Sequence, residues 1–318
     1  MPCILKSVSF LSQKRAAMKF KKITIIDNCR LTNQIIEKLA ALSEIPIEIS
    51  NDFPKTDEEI IKRINDSDCI LVSSRTKINA NVLKASKSLK FIAMCCSLYD
   101  ANSANVDIVT ARKFGIEVKG VKDYGDEGTV EFIFAELICL FKGLGRHKWR
   151  NDTTELKNKT IGIIGLGTLG QMVAKTGIHF GMQVYYFSRT RKYLFENEGI
   201  VYLPLEELLE TCDIVTTHLP RNTVLISENE FKLKKRNSIL VNTSLGLTCE
   251  KNALINWLTE DKTSFAIFDS DGAGSNMDEL RNLENVIVAE QSSGFTIEAK
   301  ERLSEKVFEN LKAFLSKN

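Results

Sequence analysis

Glycines at the spacing of a phosphate-binding turn lie near the middle of the chain. The run is Gly165, Leu166, Gly167, Thr168, Leu169 and Gly170. Apolar residues at 160–164 precede it and helical periodicity follows, which predicts a strand, a tight turn and a helix. In such a turn the glycines permit the reversal, a close backbone approach to a pyrophosphate, and tight packing of helix on strand. The motif predicts a dinucleotide site; the alternative is a turn that binds no ligand.

The residues after the next predicted strand, 183–187, indicate which dinucleotide is preferred. They are Ser188, Arg189 and Thr190, followed by two further bases and no acid. A site for NAD(H) places Asp or Glu here to bind the ribose diol, whereas Arg with small hydroxyl donors holds a 2′-phosphate. We therefore predict NADP(H) over NAD(H), with a solvated basic loop as the alternative.

The elements that position these residues follow from an alternation of short apolar runs and helical periodicity. One βα series covers 22–119, a second starts at Thr160, and an apolar helix is predicted at 126–144 between them. This order predicts parallel sheets covered by helices on both faces. The 318 residues are enough for two domains. The predicted fold class is α/β, with two Rossmann-like, doubly wound domains.

Composition and charge exclude several function classes. The chain has 43 Lys and Arg against 41 Asp and Glu, a net charge of +2, so nucleic acid is not predicted as a partner. No apolar run reaches the roughly 20 residues of a membrane span. The eight cysteines form no Cys-x-x-Cys pair and no histidine lies at ligand spacing, so no metal site is predicted. Reduced cysteines favour a cytoplasmic protein.

The first 18 residues form a basic N-terminal extension. Residues 1–17 contain three bases and no acid, a composition that transit peptides share. Because no element is predicted before Lys21, we favour a true start at Met18 or an unstructured tail.

Several segments together resemble the D-2-hydroxyacid dehydrogenase family. They are the glycine turn, 213–220 (DIVTTHLP), 239–246 (ILVNTSLG), 266–269 and 285–294. The resemblance covers nearly the whole chain from Lys19 onward. It implies a substrate domain built from both chain ends, 19–122 plus 296–318, and a dinucleotide-binding domain at 123–295.

The resemblance also implies how the cofactor is lined and how the chain assembles. Further cofactor-lining residues would be His218, Leu219, Pro220, Thr243, Ser244 and Asp269. A homodimer through the dinucleotide-binding domains is implied, with the 126–144 helix at the contact. The family reduces 2-keto acids with an Arg that binds the substrate, a His that acts as acid and base, and a Glu that orients the His.

This chain lacks all three family residues at the matching positions, which are Leu245, Gly272 and Gln291. Leucine cannot bind an anion and glutamine cannot exchange a proton at neutral pH, so the family's keto-acid mechanism is not carried over. The substrate loop departs as well and is formed by Cys96, Ser97 and Leu98. Tyr124, Asp126 and Glu290 are selected as candidates for proton transfer from the residues expected to line the cleft, which also include Cys95, Cys96, Tyr99, Glu127 and Asp271. A capping role at a helix N-terminus is the alternative for Asp126, and a surface position is the alternative for Glu290.

Two functions remain open on these grounds. The first is an NADP-preferring oxidoreductase that acts on a non-standard small carbonyl or hydroxy substrate. The second is a catalytically silent NADP(H)-binding sensor or scaffold, which the loss of all three family residues favours. The polar run at 123–129 and the reshaped loop at 95–104 favour the first, because a silent protein would not need them.

Overall fold

The computed structural model describes residues 18–317, so residues 1–17 of the predicted basic extension lie outside the described residues. The first sheet contains β1 (Ile23–Ile25), β2 (Glu48–Ile49), β3 (Cys69–Val72), β4 (Phe91–Ser97) and β5 (Glu117–Val121). The helices between these strands are α1 (Asn33–Ala40), α2 (Asp57–Ile64), α3 (Ala80–Ala85) and α4 (Ile108–Lys113). All pairings are parallel, and the strand order is β2-β1-β3-β4-β5.

A longer helix, α5 (Asp126–Lys142), leads into the second sheet. Its strands are β6 (Thr160–Ile164), β7 (Gln183–Phe187), β8 (Ile200–Tyr202), β9 (Ile214–Thr217), β10 (Ile239–Asn242), β11 (Phe265–Phe268) and β12 (Val286–Val288). The order β12-β11-β10-β9-β6-β7-β8 is parallel throughout. The order reverses direction between β6 and β9, which opens a crevice at their carboxyl ends.

The remaining helices cover this second sheet, except for the last. They are α6 (Thr168–His179), α7 (Tyr193–Glu196), α8 (Leu205–Thr211), α9 (Glu228–Leu233), α10 (Lys251–Glu260), α11 (Ser270–Ala273), α12 (Met277–Arg281) and α13 (Ile297–Lys317). Strands buried on both faces explain the apolar runs; Ile161, Ile163 and Ile164 of β6 are all fully buried.

The last helix, α13, returns to the first sheet. Leu303, Val307 and Leu311 are fully buried in the same core as β1 and β4, and the Phe314 ring stacks against Phe20. Apolar burial of this kind stabilises a domain by roughly 25 cal/mol per Å². The predicted fold class is therefore confirmed, with two parallel-sheet α/β units and the first assembled from both chain ends.

Helix α5 is shorter than the predicted 126–144 helix. It ends at Lys142 because Gly143 takes the left-handed conformation (φ 64°) of a helix C-cap. Ile133, Leu137 and Phe141 are buried in the core of the second unit, so the helix is apolar largely for a reason internal to this chain. The homodimer contact at this helix stays a prediction.

Candidate active site

The turn after β6 has the backbone geometry of an anion site. Gly165 adopts φ 100°, and a Cβ there or at Gly170 would collide with backbone oxygen, of His218 and Gly165 respectively. Gly167 is different, because a Cβ there would meet no atom within 4 Å. It is the N-cap of α6, which has no side-chain cap and no acid in its first turn. The first N–H groups of α6 therefore have no side-chain cap, and the space beside Gly167 is open to an anion.

The loops after β9 and β10 form the opposite side of the crevice and are bonded to each other. The Leu219 N–H donates to Ser244 Oγ (3.0 Å), and Ser244 Oγ donates to the Thr217 carbonyl (3.1 Å). Two buried polar atoms here have no partner in the described chain, His218 Nδ1 and Thr243 Oγ1. Buried polar atoms are normally satisfied, so these two fit a bound group that supplies the missing partners.

His218 cannot serve as an acid or base near neutral pH. Its Nε2 lies 3.1 Å from Thr216 Oγ1, and burial lowers its pKa to about 3. The imidazole therefore stays neutral, because burial disfavours its charged form.

Asp269 anchors two segments of the site by its side chain. One oxygen accepts from the Gly272 N–H (2.7 Å), and the other accepts from the N–H and hydroxyl of Ser293 (2.8 and 2.7 Å). Burial is the main cause that raises the pKa of this carboxyl. Since both oxygens are engaged by the chain, the geometry supports a positioning role, and contact with a cofactor stays a prediction.

The three positions matched to the family's catalytic residues have different environments. Leu245 lines a cavity of about 500 Å³ between the two units, and Gln291 is exposed. Gly272 is a correction to the sequence-based alignment, because it is buried and a Cβ there would collide with the Asn242 backbone. No side chain fits at 272, and in this turn Asp271 and Gly274 face the cavity instead.

The candidate proton donors are not gathered at one point. Glu290 lines the cavity, but its side chain is 77% exposed and pairs with Arg281 at 2.8 Å. The pKa of Tyr124 is raised mainly by burial, with a contribution from the Asp271 carboxylate. Asp126 begins α5, and burial together with Asp123 and Glu127 raises its pKa to about 6.

The predicted substrate loop is partly a strand. Cys96 and Ser97 end β4, and only Leu98 follows it. Burial raises the pKa of Cys96 to about 12, so its thiol is not a nucleophile at neutral pH. A register shift between Ala93 and Ser97 lets the strand continue alongside β5 as far as Ser97.

The chain passes twice between the two units, and the two crossings touch at glycines. A Cβ on Gly125 would collide with the Gly294 carbonyl, and one on Gly294 would lie 3.0 Å from Thr129 Oγ1. The close backbone approach explains why both positions are glycine.

The residues predicted to select the dinucleotide follow β7 at the edge of the crevice. Ser188 is half-buried, and Arg189 and Thr190 are exposed. Arg191 pairs with Glu196 through two bonds of 2.8 Å, whereas Arg189 makes no hydrogen bond or ion pair within residues 18–317.

Two arginines in the cavity escaped the sequence-based selection. Arg75 follows β3 and Arg221 follows β9, so they reach the cavity from different units. The only available signal was the position of Arg221 directly after the His218-Leu219-Pro220 segment.

Residues 18–317 contain no group of three or more His, Cys, Asp or Glu side chains arranged to hold a metal ion. Within the same range no helix is long and apolar enough to cross a bilayer. The seven cysteines in this part of the chain are all free thiols.

Comparison with known proteins gives one family. Residues 138–290 match the D-isomer specific 2-hydroxyacid dehydrogenase NAD binding domain. Glyoxylate reductase of Korarchaeum cryptofilum is 32% identical over 285 residues, covering 83% of this chain and 84% of that protein. Glyoxylate reductase of Thermococcus litoralis is 33% identical over 279 residues, covering 80% and 82%.

A solved structure resembles the whole fold. It is an acyclic imino acid reductase, Bsp5, in complex with NADPH and D-Arg, with a TM-score of 0.80 and 26% identity over 93% of this chain and 97% of that chain. Together with the sequence relatives, this likeness establishes that the chain belongs to the D-isomer specific 2-hydroxyacid dehydrogenase family, whose members are NAD(P)-dependent oxidoreductases that act on CH–OH groups.

Proposed function

We propose that this protein is an NADP(H)-preferring oxidoreductase that acts on a non-standard small carbonyl or hydroxy substrate through a binding site that differs from the family's. The observation that carries the proposal is the phosphate turn, open at Gly167, with Arg189 at the end of the neighbouring strand. A guanidinium that makes no hydrogen bond or ion pair among residues 18–317 suits a 2′-phosphate, which it binds by charge-assisted hydrogen bonds.

The residues that would hold the dinucleotide lie along the crevice. The pyrophosphate would lie on residues 165–170, the 2′-phosphate on Ser188, Arg189 and Thr190, and the nicotinamide end near the 218–220 and 243–244 loops. The orphaned His218 Nδ1 and Thr243 Oγ1 support this direction. When bound, the dinucleotide supplies or accepts a hydride.

Leu245 and Gln291 stand where the family has its substrate-binding arginine and its catalytic histidine, so substrate binding and proton transfer need other side chains. The relatives named glyoxylate reductase and the neighbour named imino acid reductase suggest a small acid with a C=O or C=N centre. Among the candidate proton donors, Asp126 has a pKa of about 6 and changes charge nearest to neutral pH. A silent NADP(H) sensor or scaffold is the second candidate. It is favoured by Leu245 and Gln291, because neither residue can perform the catalytic role of the family residue at its position.

The assembly is proposed on the same basis. We infer a substrate domain of 19–122 plus 296–318, a dinucleotide-binding domain of 123–295, and a cytoplasmic homodimer. The shared core of α13 with the first sheet supports the boundaries, and the free thiols support a reducing compartment.

The decisive experiment has two stages. NADPH and NADH are first titrated against the protein by nucleotide fluorescence, and tighter binding of NADPH is expected. NADPH consumption is then followed with a pool of 2-keto acids, imino acids, aldehydes and ketones. Turnover of any member supports the oxidoreductase. Tight NADPH binding without turnover favours the silent protein. If neither NADPH nor NADH binds, both candidate functions are contradicted.

A further inference from the structure

Arg221 is the half-buried arginine that has no carboxylate partner. Within residues 18–317 four arginines are half-buried, at positions 63, 221, 281 and 302. Three pair with a carboxylate, of Asp52 (2.8 Å), Glu290 (2.8 Å) and Glu127 (2.9 Å) respectively. A charge that is partly removed from water costs free energy unless it is paired, so the missing partner needs an explanation.

The position of the Arg221 guanidinium is fixed across the cleft. Its Nη1 donates to the Ser74 carbonyl of the first unit (3.0 Å), although Arg221 itself belongs to the second unit. This is one of five N–H donors of the group, so most donors stay available. The adjacent Asn222 donates to the Asn102 carbonyl (3.3 Å), and this second cross-cleft bond helps to hold the loop.

The cavity beneath Arg221 has the size and charge for a small anion. Its volume is about 500 Å³, and Arg75 lines it from the opposite unit. Of the two carboxylates that line it, Glu290 is already paired with Arg281. Asp271 is in no ion pair within the described chain, and its charge disfavours a second anionic group on the ligand. The cavity therefore suits a ligand with one negative charge.

The same cavity contains Leu245, the position matched to the family's substrate-binding arginine. We propose that Arg221, assisted by Arg75, binds the carboxylate of a small monocarboxylate substrate and thereby replaces the guanidinium lost at Leu245. This inference rests on the proposed oxidoreductase function and adds the chemical class of its substrate. A guanidinium suits a carboxylate because two parallel N–H donors match its two oxygens.

The test is a calorimetric titration with oxamate, a monocarboxylate that resembles a keto acid and resists reduction. Oxamate is titrated into the protein with and without saturating NADPH. The variants are Arg221→Met, Arg221→Lys, Arg75→Met and, as a matched control, the exposed Arg236→Met. Inorganic phosphate is titrated in parallel to distinguish a phosphate ligand from a carboxylate. The midpoint of thermal unfolding of each variant verifies that it is folded.

We expect Arg221→Met to weaken oxamate binding about tenfold or more, in keeping with the loss of a charge-assisted contact. Arg75→Met should weaken it less, Arg221→Lys should restore part of the affinity, and Arg236→Met should leave it unchanged. NADPH affinity should stay within about twofold in every variant, and phosphate should bind more weakly than oxamate.

Several outcomes would overturn the assignment. They are no oxamate binding by the wild type, equal binding by Arg221→Met, stronger binding of phosphate than of oxamate, and loss of NADPH affinity in Arg221→Met. The last outcome would make Arg221 a cofactor contact. If the wild type does not bind NADPH, the proposed function fails, and the titration without NADPH still decides whether Arg221 forms an anion site.

Discussion

The turns after β6 and β10 both lie at the carboxyl end of the second sheet, and they offer a ligand different things. The turn after β6 presents unshielded N–H groups and open space at Gly167. The turn after β10 presents the aliphatic Leu245 to a polar cavity. The backbone does the binding in the first turn, and side chains must do it in the second. The turn that would bind through its backbone is thus retained in this chain, whereas the substrate-binding side chain of the family is replaced by Leu245.

Gly167→Val tests most directly whether the backbone of the turn after β6 binds the cofactor. The backbone at Gly167 has a negative φ of −79° and an added side chain meets no atom, so the fold should be unaffected. The new side chain would occupy the space of the pyrophosphate, and NADPH affinity should fall at least about a hundredfold. Fluorescence titration measures the affinity, and circular dichroism verifies the fold.

Gly145→Val is the matched control, because Gly145 is exposed and a Cβ there also meets no atom within 4 Å. Its NADPH affinity should equal that of the wild type. If Gly167→Val binds NADPH normally, the turn is not the phosphate site.

A smaller effect is expected from Arg189→Ala, which tests the preference between the two dinucleotides. Loss of one charge-assisted contact should weaken NADPH about tenfold and leave NADH nearly unchanged. Arg191→Ala is the control, because the Arg191 guanidinium is already held by Glu196. Competitive titration with both nucleotides gives the ratio, and an equal loss for NADPH and NADH in Arg189→Ala would exclude a 2′-phosphate contact.

The contrast between binding by the backbone and binding by side chains explains what the sequence could and could not predict. Gly165 and Gly170 are required by local backbone geometry, so their spacing predicted the turn and the order of β6 and α6. Parallel-sheet strands were recognised as continuous apolar runs. Short surface helices such as α7 and α9 were missed, because four to six residues carry too little periodicity.

The substrate side was harder to predict because its properties depend on tertiary contacts. Gly272 was matched to a family glutamate by counting along the chain, and only packing against Asn242 reveals that no side chain fits there. Arg221 is informative because it lacks a carboxylate partner among residues 18–317, and a missing partner in space leaves no mark in the sequence. The cavity between the units likewise depends on how two distant βα series are arranged.

A stability experiment on Gly272 tests that correction. Gly272→Ala should lower the free energy of unfolding by about 1–3 kcal/mol, because the added Cβ collides with buried backbone rather than with a movable side chain. Urea unfolding followed by the fluorescence of the buried Trp149 and Trp257 measures the change. Gly199→Ala separates collision from backbone strain, since Gly199 has a positive φ of 86° but an open Cβ position. If Gly272→Ala loses no more free energy of unfolding than Gly199→Ala, a side chain fits at position 272 and the correction is wrong.

The smallest effect concerns Asp126, at the start of α5 where the chain crosses between the units. Its folded-state pKa of about 6 lies above the ordinary 3.8, because burial and the nearby Asp123 and Glu127 disfavour the carboxylate. A raised carboxyl pKa means that the folded state is favoured while the group is protonated. This contribution is complete below about pH 4 and is lost as the pH rises through 6.

Asp126→Asn should therefore be more stable than the wild type at pH 8, by about 1 kcal/mol or less after solvent screening of this half-exposed group, and the difference should shrink towards pH 4.5. Urea titrations at the two pH values measure it, and Asp123→Asn should reproduce part of the gain. A pH-independent difference would mean that the Asp126 carboxyl does not titrate near pH 6 in the folded protein, and its candidacy as a proton donor would lose its support.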